Sequence, residues 1–440
     1  VLRLHDTAKG TVRELSLREP GKVSLYVCGP TVYDVPHIGH GRSYLVYDVL
    51  VRYLEWSGLV VDHVRNITDI EDKIIDRAND LGVDPEALTR EFEATYYDAF
   101  DRLGIKRPTH DPHATAYVDR MLSLIGALAE RDLAYETADG VYMDVGQVPG
   151  YGLLAQQSLD DLQSGERVEV NESKRSPLDF VLWKKAKPGE PSWPSAWGDG
   201  RPGWHTECVV MSLDLLGDGF DLHSGGLDLK FPHHENERAQ AVALGYSFAR
   251  HWMHHAFVEV EGVKMSKSLK NFTSLVDLLD RHDGRAYRLL VLRSHYRSPM
   301  EVTPDTIADA EKGLERFDEF ARRFPVGGTP DSGALVRFRE LMDDDLNTPG
   351  AVALLFDLVR RANADDDQAA AATVWELAGA LGLELRAPSS EIDDATAGLV
   401  AARDEARGNK DFSEADRLRD ELQARGWVVK DTPDGTQVHR

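Results

Sequence analysis

Cysteine is nearly absent from this chain: its 440 residues hold two, Cys28 and Cys208. That excludes a disulfide-stapled scaffold. With no apolar export segment in Val1-Leu2-Arg3-Leu4-His5-Asp6, reduced thiols or a metal site are the expectation. Also missing is any apolar run of about 18 residues, which argues against a membrane-spanning helix and makes a cytoplasmic address the default. Positive charge is short as well. Lys and Arg number 51 against 75 Asp and Glu, a net charge of −24, which argues against nonspecific nucleic-acid affinity. Local patches are still allowed: Lys174, Arg175, Lys184, Lys185 and Lys187 form a basic stretch, while the acidic excess gathers between Asp331 and Val400. Internal repeats and low-complexity tracts are absent.

What is present is enough chain for two to four domains. Residues 1–115 alternate strand and helix, with strands expected at Lys22–Val27 and Leu59–Val64 and helices at Tyr44–Trp56 and Glu71–Leu81. This is the pattern of an α/β, Rossmann-like parallel sheet, although no GxGxxG follows the first strand. Residues 116–204 read as an insertion, with a helix near Tyr117–Arg131, a strand near Gly140–Val145 and a Pro/Trp-rich stretch at Pro188–Trp204. The sheet domain should resume over 205–260, with a helical pattern from Cys208 and a strand at Phe220–His223. A lysine-bearing loop follows in 261–302, leading into helices at Thr273–Arg281 and Arg285–Ser294. Residues 303–390 are expected to form an all-α bundle. Ala387–Asp394 reads as a linker, and 391–440 as a small C-terminal domain with an amphipathic helix or helix pair at Ala395–Arg425 and a strand-bearing tail.

Two short motifs point to chemistry. His37-Ile38-Gly39-His40 lies between a strand and a helix, where free backbone N–H groups and the positive end of a helix dipole face an anion. Lys264-Met265-Ser266-Lys267-Ser268 lies in a polar segment able to carry charge to a polyphosphate. In this order they suggest two halves of one ATP site. A third constellation suits a metal. His233 and Glu237, four apart, share a helix face, and with Cys28 and Cys208 they make a Cys₂HisGlu set for which zinc is the natural occupant. His234 also shares a face with Glu237, so spacing leaves the choice of histidine open. His110/His113 and His251/His254/His255 lack matched partners and read as structural.

The motif pair resembles the HIGH and KMSKS signatures of class I aminoacyl-tRNA synthetases. Tyr26-Val27-Cys28-Gly29-Pro30-Thr31-Val32-Tyr33-Asp34, Asn66-Ile67-Thr68-Asp69-Ile70, Gly203-Trp204-His205-Thr206-Glu207-Cys208 and Phe231-Pro232-His233-His234-Glu235-Asn236-Glu237 are similar to the cysteinyl-tRNA synthetases along essentially the whole chain. The resemblance implies cysteine, Mg²⁺-ATP and tRNA(Cys) as substrates, a monomer, a helical tRNA-gripping region and an anticodon-reading tail. It implies zinc on Cys28, Cys208, His233 and Glu237, selecting substrate thiolate over the near-isosteric serine. His37, Gly39, His40, Lys264 and Lys267 would hold ATP, the histidines and lysines being catalytic. Thr68, Trp204, His223 and Asp228 would surround the amino acid and ribose. The nearest rival is the cysteine ligase of mycothiol synthesis, which uses an amino-sugar acceptor; a noncatalytic tRNA or cysteine sensor is the other. Three positions depart from the family pattern: Ser224 and Lys270 where glycine is usual, and Val438 where a tryptophan is often found.

Overall fold

Lys22–Val27 is the central strand of a four-stranded, all-parallel sheet. Val60–Arg65 flanks it on one side; Phe220–Gly226 lies on the other and is followed outward by Ala249–His255. This is a computed structural model, and it describes residues 1–157, 174–260, 263–264, 274–386, 393–432 and 435–439. Val23, Leu25, Tyr26 and Val27 are fully buried, the continuous apolar run expected of a strand covered on both faces. The chain crosses from this strand to Val60–Arg65 on one side, and much later returns on the other side as Phe220–Gly226. The resulting crevice between Lys22–Val27 and Phe220–Gly226 is the switch point at which open parallel sheets bind ligands.

Helix Ile38–Trp56 covers one face through Tyr44, Leu45, Val49 and Leu50. It starts six residues before the expected Tyr44, because Ile38–His40 of the motif already form its first turn, with His37 as the extended N-cap. The second expected strand is shifted by one residue, to Val60–Arg65, and the third runs on from His223 to Gly226. Helix Asp72–Leu81 begins as expected, with the Glu71 carboxylate accepting from the Lys73 N–H. Helix Pro85–Arg102, capped by Asp84, and strand Ala249–His255 were not among the expected elements; three histidines and one arginine hide the latter, a segment that is mostly buried.

The insertion builds its own antiparallel sheet, Ala134–Glu136, Gly140–Met143, Phe180–Lys185 and Gly200–Pro202, over a separate core that includes Ile125, Val141, Leu182 and Trp183. Part of the basic stretch is neutralised internally: Lys184 pairs with Asp72, and Lys185 with Glu136 at 2.7 Å.

The segment after the lysine-rich loop contains helices Leu275–Arg281 and Gly284–Arg293, capped by Ser274 and Asp283. The bundle, Pro304–Arg323, Ser332–Asp343, Thr348–Asp365 and Gln368–Ala380, shares one apolar core with helix Ile38–Trp56. A buried ion pair fixes this junction: Arg288 Nη1 lies 2.7 Å from Asp48 Oδ2, and Arg288 also donates to the carbonyls of Leu103 and Gly104. Burial alone would raise the Asp48 carboxyl, yet Arg288 and Arg52 hold it below its ordinary value. Asp48→Ala is therefore expected to strand a buried guanidinium and cost about 3 kcal/mol. Urea unfolding checks this; a loss below about 1 kcal/mol would show that Arg288 is satisfied by carbonyls alone.

Helices Asp394–Gly408 and Phe412–Ala424 resolve the helix-or-pair alternative as a pair, followed by the hairpin Val428–Thr432/Gly435–His439. Buried Arg403 bonds Asp431 at 2.7 Å and Thr436 Oγ1 at 2.6 Å, tying helix to hairpin. Val438 packs against the small core of Leu422, Trp427 and Val429. Most of the expected linker lies outside the described residues. Among the described residues, no helix is long and apolar enough to cross a membrane.

Candidate active site and metal cluster

A cavity of about 320 Å³ opens over the carboxyl ends of the parallel strands. Its wall includes six residues singled out from the sequence: Cys28, His37, Gly39, His40, Trp204 and Asp228. Cys28 and the His37–His40 turn follow the central strand, Trp204 opens helix Trp204–Leu216, and Asp228 follows strand Phe220–Gly226. Cys28 and Gly29 directly follow the central strand, and the Gly29 N–H donates to Asn66 Oδ1 at 2.8 Å. A Cβ on Gly29 would lie 1.5 Å from the Asn66 carbonyl oxygen, so only glycine allows this close approach of two chain segments.

His37 stands at the N-terminus of helix Ile38–Trp56. Its backbone N–H donates to His40 Nδ1 at 3.1 Å, and the two rings lie 3.7 Å apart. This turn presents two imidazoles and the positive end of the helix dipole to the cavity, which suits a polyphosphate. Arg42, one turn further on, is buried and donates to the carbonyls of Phe257, Tyr296 and Ser298, so it fastens the helix to the root of the next hairpin. That hairpin pairs Val258–Val260 with Val263–Lys264, placing the Lys264 backbone opposite Glu259. Lys267 and Lys270 lie outside the described residues.

Behind the Cys28 end of the cavity is a buried donor cluster. Cys28 Sγ lies 3.7 Å from Cys208 Sγ and 3.6 Å from Glu237 Oε1; His233 Nε2 lies 3.6 Å from Cys208 Sγ and 3.0 Å from Glu237 Oε1. Cys208 comes from helix Trp204–Leu216. His233 lies in the wide turn Lys230–His234, and Glu237 in the first turn of helix Glu235–Ala243. A second set overlaps the first: Cys28, His223, His234 and Glu237 also bring four donors together. His234 Nε2 is 3.2 Å from Cys28 Sγ, and its Nδ1 is 2.8 Å from His254 Nε2, whose Nδ1 meets Thr7 Oγ1 at 2.7 Å. His233 Nδ1 instead faces His205 Nδ1 at 2.9 Å, and its ring stacks on Trp204 at 4.0 Å. Burial lowers the pKa of His233 and His234 well below the ordinary histidine value and takes His205 to about 3, so the rings are neutral and hold lone pairs for a cation. The same burial pushes both thiols up.

Two expected substrate residues sit behind the wall. The Thr68 hydroxyl is buried and donates to Glu207 Oε2 at 2.9 Å; burial raises the Glu207 carboxyl well above its usual range. His223 is fully buried, with Nε2 2.7 Å from Glu237 Oε2 and its ring stacked on Trp252 at 4.5 Å. Ser224 continues the ladder, its carbonyl accepting from the Cys28 N–H at 3.1 Å, while its hydroxyl is buried with no hydrogen-bond partner among the described residues. His110 and His113 face Asp62 and Glu93, in keeping with a structural role. His254 and His255 take part after all, one behind the donor cluster and the other in the cavity wall. Tyr33 and Lys73 also line the cavity. Their flanking motifs had been recognised, but no local spacing marks these two side chains.

The family model for the catalytic domain of class I (C) tRNA synthetases matches residues 14–312, and that for the cysteinyl-tRNA ligase anticodon-binding domain matches 389–438. The chain belongs to the cysteinyl-tRNA ligase family. A DALR-domain model matches residues 337–386 between them. Among curated family members, the cysteine–tRNA ligase of Halorhodospira halophila is 47% identical over 457 residues and covers 100% of both chains. That of an Acidovorax species is 48% identical over 452 residues, covering 99% of this chain and 98% of the relative. The family's fold extends to remote relatives. Mycobacterium tuberculosis methionyl-tRNA synthetase bound by methionyl-adenylate superimposes with a TM-score of 0.61 at 14% identity, over 90% of this chain and 96% of that one.

Proposed function

We infer that this chain is an enzyme that activates cysteine with ATP and transfers it to tRNA, and the observation that carries the reading is the double position of Cys28. It lines the cavity that holds the His37–His40 turn, and it is also a member of the buried donor set. A thiol-bearing amino acid seated against Cys28 would thus have its sulfur at the cluster and its carboxylate toward the ATP-binding turn.

In the first step a carboxylate oxygen of cysteine attacks the α-phosphorus of Mg²⁺-ATP, the bond to the bridging oxygen breaks, and pyrophosphate leaves. His37 and His40, with the N–H groups beside Gly39, stabilise charge on the α-phosphoryl oxygens; Lys264 and Lys267 neutralise the departing pyrophosphate. In the second step a hydroxyl oxygen of the terminal adenosine attacks the acyl carbon, AMP leaves and the hydroxyl proton is lost. Trp204 walls the amino-acid end, and Asp228 accepts from an ammonium or a ribose hydroxyl. Thr68, through Glu207, and His223, through Glu237, hold the neighbouring groups in place. Catalysis comes from positioning and charge stabilisation, with no covalent enzyme intermediate.

The donor set fits zinc. Tetrahedral zinc with sulfur at about 2.3 Å and nitrogen or oxygen at about 2.0–2.1 Å has edges of about 3.8 Å for S–S, 3.6 Å for S–N and S–O and 3.3 Å for N–O. The Cys28, Cys208, His233 and Glu237 separations of 3.7, 3.6, 3.6 and 3.0 Å follow that pattern. Bound there, zinc would supply a soft Lewis acid that takes a thiolate in preference to a hydroxyl. The second set offers one thiol instead of two and is the poorer match. The broader reading includes a monomer acting in the cytoplasm, a stem-contacting segment at 261–302, a tRNA-gripping bundle at 303–390 and an anticodon-reading domain at 391–440.

Aminoacylation of tRNA(Cys) with labelled cysteine or serine, and an amino-sugar acceptor alongside, tests this. Cysteine should be charged about 10⁴-fold more efficiently than serine by kcat/KM. Transfer to the amino-sugar with no charging of tRNA would overturn the assignment. The amino-sugar alternative is not favoured, because the anticodon-binding match extends to residue 438.

A further inference from the structure

We propose that Tyr33 and Lys73, at the Val60–Arg65 end of the cavity, receive the 3′-terminal adenosine of the tRNA, the base stacking on Tyr33 and its phosphate facing Lys73. This rests on the reading of the chain as a tRNA ligase and adds the place where the acceptor strand enters.

Strand order divides the cavity by function. His255 ends strand Ala249–His255 and Asp228 follows Phe220–Gly226, on the side where the chain continues into the Lys264 hairpin. Cys28 lies over the donor cluster in the centre. Tyr33 and Lys73 line the end reached from Val60–Arg65, beside the Thr31–Thr68 bridge.

The chemistry there suits a nucleotide. Tyr33 is half-buried, its body packed against Ile74, Ala78 and Leu88 of two helices, so its ring is a fixed platform. Lys73 Nζ lies 5.8 Å from that ring's centroid. Among the described residues Lys73 has no ion-pair partner, whereas neighbouring Asp72 is neutralised twice, by Lys184 and by Arg201 Nη2 at 2.6 Å. Among the described residues, the Lys73 ammonium is thus left without a carboxylate partner. An aromatic face beside an ammonium provides stacking for an unpaired base and attraction for its phosphate. Lys184 and Arg201 belong to the insertion, so these ion pairs also set the insertion against this end of the cavity.

The test uses the full-length enzyme and a tRNA(Cys) transcript. Lys73→Gln should raise the aminoacylation KM for tRNA about ten-fold and lower the salt slope of direct tRNA binding by about one, with a much smaller change in the KM for ATP or cysteine in pyrophosphate exchange. Tyr33→Leu should raise the same tRNA KM about ten-fold, and Tyr33→Phe should restore it. A Lys73→Gln enzyme with wild-type tRNA KM and salt slope would overturn the proposal, as would one whose principal defect is in the KM for ATP. Failure of the wild-type enzyme to charge tRNA would count instead against the activity itself.

Discussion

Gly29→Ala is expected to lower cysteine-dependent ATP–pyrophosphate exchange by at least about 10²-fold in kcat/KM. The added Cβ would meet a backbone oxygen, that of Asn66, at 1.5 Å, and no side-chain rotation relieves such a contact. The chain after the central strand must move away from Asn66, breaking the Gly29 N–H to Asn66 Oδ1 bond and carrying Cys28 with it. Cys28 belongs to both the cavity and the donor cluster, so one displacement disturbs cysteine placement and the ATP turn together. A misplacement of about 1 Å at a reacting group costs about 10²-fold, and forced overpacking costs a further 1–3 kcal/mol or so of stability. Exchange kinetics alongside circular dichroism separate the two effects. A folded variant within about ten-fold of wild type would show that the 28–29 turn can relax without moving the thiol.

Cys208→Ser is expected to remove bound metal and cysteine activation together. The substitution leaves Cys28, His233 and Glu237 in place but replaces the only other thiol with a hydroxyl, a poor ligand for a soft cation. Metal analysis of the purified protein should fall from about one zinc per chain to well below that, and exchange activity with cysteine should fall about 10²-fold or more. ATP binding, which depends on the separate His37–His40 turn, should survive. Normal exchange by a metal-free variant would sink the selection of cysteine by thiolate coordination. If His223→Ala produced the larger metal loss, the second donor set would be the occupied one.

The chemistry-bearing residues were more legible in the sequence than their arrangement. His37, Gly39 and His40 are marked by their place between strand and helix, and His233 with Glu237 by helical spacing; the structure places the first three in the cavity wall and the last two in the donor cluster. The choice between His233 and His234 was not legible, since consecutive residues differ by about 100° around a helix and both can face one neighbour. The structure explains the ambiguity: both rings point a nitrogen at the cluster, one at 3.6 Å from Cys208 and the other at 3.2 Å from Cys28. Strand Ala249–His255 was hidden because a buried imidazole paired with another imidazole carries no apolar signature. Tyr33 and Lys73 meet only through lateral strand order, as do Thr68 and Glu207 behind the wall, and that order is a long-range property.

The central strand's two neighbours are made at very different times during synthesis. Val60–Arg65 follows within a few dozen residues, but Phe220–Gly226 lies beyond the whole insertion. At about 5–20 residues per second, roughly 10–40 s separate the emergence of Cys28 from that of Glu237. Until Phe220–Gly226 is made, the strand Lys22–Val27 has one open edge, and until Glu237 is made, the donor set around Cys28 is incomplete. The insertion meanwhile has a sheet and core of its own to complete. Capture of a metal by this donor set would therefore come late in the life of the nascent chain, only after both halves of the parallel sheet have met.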